Sequence, residues 1–302
     1  MNSPHPPRNK AYRNQEFLNS KDARVLRILA EYLEPKARFE RHGVEDTIVF
    51  MGSARIVSRE TASAALSALP ADSPATRLHA ARTALEMAAY YDAARELAFR
   101  LTKWAMQLDR RERRFTVCTG GGPGLMEAAN RGAADAQGLN VGLTISLPAE
   151  EFDNPYVSPD LSFHFHYFFM RKFWFAYLAK AVIVFPGGFG TLDELFELLT
   201  LVQTRRMRKP LPIVLFGTRY WQEVINFDAL VSHGTISPRD VDLVFRTDSV
   251  DEAYDWVTQQ LRARARRPGT RPLGAPPPGA RRAGARRTVS GRCNGPAPAP
   301  IN

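Results

Sequence analysis

The chain has little cysteine, only Cys118 and Cys293 in 302 residues. That argues against a disulfide framework and a zinc site. It has no uncharged apolar run long enough to span a bilayer. Even the aromatic stretch FHFHYFFMRKFWFAYLAK is interrupted by Arg171, Lys172 and Lys180. The opening MNSPHPPRNK lacks the apolar segment of a secretory leader. No Gly-Lys pair occurs, which rules out a P-loop. Acidic residues are missing from Arg262 to Asn302, where ten arginines equal the whole formal excess of +10. The remainder is formally neutral, so nucleic acid is expected to be met only non-specifically, through the basic tail. These absences lead us to expect a soluble, cytoplasmic protein without membrane contact.

What is present is an alternation of apolar strands and helical segments. Strands are expected at Thr47–Gly52, Phe115–Gly121, Asn140–Pro148, Ala181–Phe185 and Leu211–Gly217, with shorter ones in LSFHFHYFF and LVFRTDS. Between them, helical patterns run at 75–108, 125–138, 191–203 and 250–265, and over YWQEVINFDALVSHG. Such alternation implies a parallel sheet covered on both faces: an α/β, Rossmann-like, doubly wound fold with additional N-terminal helices. Residues 21–34 carry helical spacing of Val25, Leu26, Leu29 and Leu33, and Pro35 is expected to end that helix. Residues 1–20 and the Arg/Pro/Ala/Gly-rich 263–302 are expected to be disordered, flanking a single domain over 21–262.

In an open parallel sheet, ligands bind beyond the carboxyl ends of the strands. Four small-residue turns fall there: MGSAR, TGGGPGLME, PGGFGTLDE and FGTRYW. In PGGFGTLDE, Gly187, Gly188 and Gly190 let backbone N–H groups approach an anion at a helix N-terminus. Thr191 and Glu194 also fit a capping box, T-x-x-E. The second turn, with Gly121 and Gly122, has the same strand–glycine–helix form. Both turns lack the third glycine of a dinucleotide fingerprint. Arg171 and Lys172 lie near a helix start among aromatics, where a guanidinium offers a rigid donor fork. A carboxylate beside a phosphate seat suits water activation and stabilisation of a cationic sugar, as in glycoside cleavage. His164 and His166 alternate on a strand, but no third metal ligand is legible, so no metal site is expected.

Taken together, GGGPGLMEAANRGA, MRK and PGGFGTLDE resemble the LOG family, once labelled "lysine decarboxylase-like", from about Thr47 to Val257. NPYV (Asn154–Val157) and INFDALVSHGTIS (Ile225–Ser237) resemble its longer, bacterial branch. The resemblance implies a nucleoside 5′-monophosphate phosphoribohydrolase that splits AMP or cytokinin ribotides into free base and ribose 5-phosphate. It implies no cofactor, and a homodimer or higher homo-oligomer. By position it implies catalytic Arg171 and Glu194, nucleotide contacts from Lys172, Gly187, Gly188, Gly190, Thr191 and Thr200, and a phosphate-side Ser53. An upstream acidic contact falls to Glu150, Glu151 or Asp153. The alternative is a non-catalytic nucleotide-binding or carrier protein on the same fold. The decarboxylase label would require a lysine Schiff base to pyridoxal phosphate, for which Lys172 and Lys180 are the available lysines but no matching constellation is legible.

Overall fold

Seven apolar segments pair edge to edge, all parallel, in the computed structural model, which describes residues 10–108, 115–145, 154–207 and 209–265. In chain order the elements are α1 (Gln15–Asn19), α2 (Arg24–Arg41), β1 (Thr47–Met51), α3 (Arg59–Ser67), α4 (Ala75–Gln107), β2 (Thr116–Thr119), α5 (Leu125–Asp135), β3 (Asn140–Ile145), β4 (Ser162–Phe165), α6 (Phe168–Leu178), β5 (Ala179–Val184), α7 (Phe189–Gln203), β6 (Ile213–Phe216), α8 (Thr218–Val224), α9 (Phe227–Ser232), β7 (Val244–Thr247) and α10 (Val250–Ala265). The sheet order is β4-β3-β2-β1-β5-β6-β7. The order therefore reverses between β1 and β5, which are hydrogen-bonded neighbours with Met51 opposite Val184. This is the α/β, Rossmann-like architecture expected from the alternating pattern. The described residues up to Arg264 belong to one compact unit.

The period-2 geometry of the strands divides the core into two layers. Val49, Met51, Val182 and Val184 face one layer, closed by Phe39 of α2, Trp174 and Phe175 of α6, and Leu195 and Leu198 of α7. Ile48, Phe50, Ala181 and Ile183 face the other, closed by Leu97 and Leu101 of α4, Leu125 of α5 and Val257 of α10. With both faces covered, the central strands read as unbroken apolar runs.

Several expectations need correction. α2 does not stop at Pro35; the proline sits inside it and is buried. A proline has no N–H for the carbonyl four residues back. That carbonyl, of Glu31, instead accepts from Trp174 Nε1 at 3.0 Å. Tertiary packing thus repairs the break. The expected stripe of Val25, Leu26, Leu29 and Leu33 is exposed rather than buried. Within the stretch expected to be disordered, Gln15–Asn19 form α1, whose cap is Asn14, accepting from Phe17 N–H at 3.1 Å. α3 was not foreseen, although Ser58 caps it by accepting from Thr61 N–H at 3.2 Å. YWQEVINFDALVSHG forms two helices, α8 and α9, with Asn226 capping the second.

A buried amide network anchors the turn after β2. Thr119 Oγ1 donates to Asn130 Oδ1 at 2.6 Å, and Asn130 Nδ2 donates to Asn140 Oδ1 at 2.9 Å. Asn154 Nδ2 donates to Asn130 Oδ1 at 3.1 Å, and Gly121 N–H donates to Thr119 Oγ1 at 2.9 Å. The same turn is pressed against the one after β1. Gly124 has φ +68°, and a Cβ there would lie 2.5 Å from the Ser53 carbonyl oxygen. Gly124→Ala should therefore lose about 2 kcal/mol or more in urea unfolding, through both strain and collision. Gly190→Ala, whose added methyl meets nothing within 4 Å inside α7, should be neutral or stabilising by about 0.5–1 kcal/mol.

Candidate functional site

The turns after β1 and β5 meet where the strand order reverses: Ser53 N–H donates to the Pro186 carbonyl at 3.0 Å. The turn after β2 packs on them, with Leu125 N–H donating to the Ser53 carbonyl at 3.1 Å. Together with the start of α6 they enclose a cleft of about 560 Å³. Parallel topology alone brings these distant sequence segments to one rim.

Ser53, Arg171, Gly187, Gly188, Gly190, Thr191 and Glu194 all line the cleft. α7 begins at Phe189 with Gly188 as its N-cap and no capping side chain. Its first N–H groups are therefore left for water or a ligand. Thr191 is the third residue of α7, not its cap, and is buried against Gly187. A Cβ at Gly187 would run into the Thr191 side chain, so the turn requires glycine there. The capping-box expectation is thereby corrected: Glu194 turns inward to Arg171 instead of back to the helix start.

Arg171 Nη2 donates to Glu194 Oε1 at 2.9 Å, with 13% and 14% of the two side chains exposed. The guanidinium also lies 5.4 Å from the Phe168 ring centroid and 5.7 Å from that of Phe175. Its Nε is buried and has no hydrogen-bond partner among the described residues. Burial pushes the Glu194 carboxyl above its ordinary range; Arg171 opposes this but does not outweigh it. Since the folded-state value is the higher one, this group's contribution to stability falls as pH rises through it, the reverse of an ordinary paired carboxylate.

Other expected residues lie elsewhere. Lys172, one position on, points away from the cleft: its Nζ is 2.7 Å from Asp193 and 3.2 Å from Glu197. Thr200 Oγ1 donates to the Phe196 carbonyl at 2.7 Å, three turns into α7, and is not in the cleft lining. Gly121 and Gly122 shape the β2 turn, while Gly120 is the glycine of that turn that reaches the cleft. Glu150, Glu151 and Asp153 fall outside the described residues. Lys180 opens β5 at the opposite end of the sheet and is ion-paired with Asp46. No lysine lines the cleft among the described residues, so its chemistry does not fit a Schiff base to pyridoxal phosphate. His164 Nδ1 is 2.9 Å from Thr144 Oγ1, and no metal-ligand cluster occurs among the described residues.

Sequence reasoning passed over Arg55, Met126 and Tyr220, all in the cleft lining. Tyr220 OH donates to the Gly187 carbonyl at 2.7 Å, fixing the peptide that opens the glycine turn. Both Arg55 and Tyr220 belong to strand-end turns already singled out, MGSAR and FGTRYW, which was the available signal. A side-chain NMR titration should place the midpoint of Glu194 above 4.5. Arg171→Met should move it further up, since the cation that lowers it is gone.

The family described as "Possible lysine decarboxylase" matches residues 126–257. A pyrimidine/purine nucleotide 5′-monophosphate nucleosidase of Escherichia coli strain K12 is 35% identical over 121 residues, covering 35% of this chain and 25% of its own. The cytokinin riboside 5′-monophosphate phosphoribohydrolase LOG7 of Arabidopsis thaliana is 33% identical over 102 residues, covering 30% of this chain and 46% of its own. The chain thus spans a quarter of the first relative and under half of the second. The Moco carrier protein from Chlamydomonas reinhardtii aligns over 72% of this chain and 99% of its own at 20% identity, with a TM-score of 0.44. The resemblance to the LOG family, read from the motifs, is shown by the family match and by the relatives that carry its name.

Proposed function

We propose that the chain is a nucleoside 5′-monophosphate phosphoribohydrolase, hydrolysing the N-glycosidic bond of AMP or cytokinin ribotides. The observation that carries this reading is the buried Arg171–Glu194 pair at 2.9 Å, set beside a glycine turn and a helix start. The 5′-phosphate is taken by the first N–H groups of α7 and by Ser53. With the phosphate fixed there, the ribose falls beside Glu194. As the C1′–N bond breaks, its electron pair leaves with the base and the ribose becomes oxocarbenium-like. Glu194 stabilises that positive charge and takes a proton from the attacking water, whose oxygen forms the new bond to C1′, while the departing base takes up a proton from solvent to become the neutral free base. Arg171 holds Glu194 in place, positions the nucleotide and assists departure of the base. The names of the nucleosidase and phosphoribohydrolase relatives support this chemistry.

We further propose that two copies associate through the apolar faces of α2 and α6. Leu29 and Leu33 are 48% and 56% exposed, and Phe169 and Phe173 are 50% and 36% exposed. The Tyr32 and Phe173 rings, 5.7 Å apart, join the two helices into one patch. An exposed apolar patch of this kind favours association.

Incubation with AMP and isopentenyl-AMP should release free base and ribose 5-phosphate. Glu194→Gln should cut kcat at least about 100-fold while leaving nucleotide binding largely intact. Binding without base release by the wild-type protein would identify a carrier instead. The acid limb of kcat/KM should lie above 4.5, the ordinary carboxylate value, because the working form of Glu194 is charged and its burial raises the pH needed to reach it. In light scattering, the double variant Leu29→Glu, Phe173→Glu should run as a monomer; an unchanged mass would remove this surface as the interface.

A further inference from the structure

We infer that Arg55 is the cation that selects a phosphorylated ligand, making the cleft specific for ribose 5-phosphate groups over unphosphorylated nucleosides. This rests on the hydrolase reading for its substrate class, but its grounds are the charges around the cleft. Three cations are near enough to be considered. Arg171 is engaged by Glu194 at 2.9 Å. Lys172, which the motif suggests for nucleotide contact, is held by Asp193 and Glu197 outside the lining. Arg55 lines the cleft and is exposed, and its guanidinium has neither a hydrogen bond nor an ion pair among the described residues.

The charge balance favours a further cation. Among the described lining residues, the charged ones are Arg55, Arg171 and Glu194. Arg171 and Glu194 offset one another. A phosphate dianion arriving beside Glu194 then meets a carboxylate, with only backbone N–H groups and a hydroxyl in its favour. Helix-terminus donors contribute modestly to binding a charge. A guanidinium–phosphate contact is the stronger, charge-assisted term and brings a fork matched to phosphate oxygens.

The turn is built to present this side chain. Arg55 N–H donates to Ser53 Oγ at 3.1 Å, and the Ser53 carbonyl and Ala54 are packed against Gly124. The backbone under Arg55 is thus fixed by the β2 turn, while its side chain stays unclaimed at the mouth. Ser53 and Arg55 approach from the β1 side, and Gly188 to Thr191 from the β5 side. A phosphate between them would be held from both sides of the point where the strand order reverses.

Calorimetry with AMP, ribose 5-phosphate and adenosine, on the wild-type protein, Arg55→Met and Arg55→Lys, tests this. Arg55→Met should weaken AMP and ribose 5-phosphate by roughly tenfold or more and leave adenosine unchanged. The salt dependence of AMP binding should flatten. Arg55→Lys should fall between, keeping the charge without the fork. The melting temperature should not move, because the side chain has no partner to lose. If Arg55→Met binds AMP as tightly as wild type, or loses adenosine in equal measure, the inference is overturned even where base is released. If the wild-type protein binds ribose 5-phosphate through Arg55 but releases no base from AMP, the inference stands and the hydrolase reading fails. Failure of the wild-type protein to bind either phosphorylated ligand overturns both.

Discussion

A guanidinium and a carboxylate, each largely withdrawn from water, face each other where α6 and α7 converge on the end of β5. Removing two charges from water costs several kcal/mol per ion, and mutual attraction recovers this only in good geometry. Here the recovery is partial, since burial leaves the carboxyl raised despite its partner. A stability-optimised core would fill the same space with apolar side chains. The surrounding architecture exists to keep this costly pair in register: β5 sets the glycine turn, α7 carries Glu194 one turn past it, and α6 carries Arg171 toward it.

α6 itself is held by α2. The Glu31 carboxylate accepts the N–H groups of His166 and Tyr167 at 2.7 and 3.2 Å, at the entrance to α6. Its carbonyl, freed by Pro35, accepts the Trp174 indole. One residue thus ties α2 to both the start and the middle of the helix that bears Arg171. The proline, which by local rules breaks a helix, frees the acceptor that docks α6. The N-terminal helix is therefore part of the support of the cleft.

On the other side, the glycine turn of β2 is fixed by the Thr119–Asn130–Asn140–Asn154 network and wedged against the β1 turn at Gly124. Each of these side chains is a buried polar group whose partners are supplied by a different element, so losing one leaves others unsatisfied. The cleft is framed by two rigid supports, an ion-paired side from α6 and α7 and an amide-locked side from α5 and β3. Arg55 lines the cleft between them, its guanidinium without a hydrogen bond or ion pair among the described residues.

Much of this was legible without coordinates. Unbroken apolar strands, alternating with helical periodicity, determined a covered parallel sheet, and such a sheet places every strand-end turn on one rim. PGGFGTLDE and MRK supply Glu194 and Arg171, which the fold brings together in the lining of one cleft. Local rules failed where a distant partner decided the outcome. Pro35 reads as a terminus until Trp174 arrives, and Thr191 reads as a cap until Gly188 takes that place. Lys172 and Arg171 are adjacent in sequence and equal in charge. Which of them faces the cleft depends on helix phase and on the carboxylates of α7, and Arg55 reaches the cleft lining only because β1 lies beside β5. The sequence by itself determined the fold class and the chemical groups available. Tertiary structure decided which charges neutralise one another and which stays unpaired among the described residues of the cleft, because pairing depends on distance and burial that neighbouring letters do not encode.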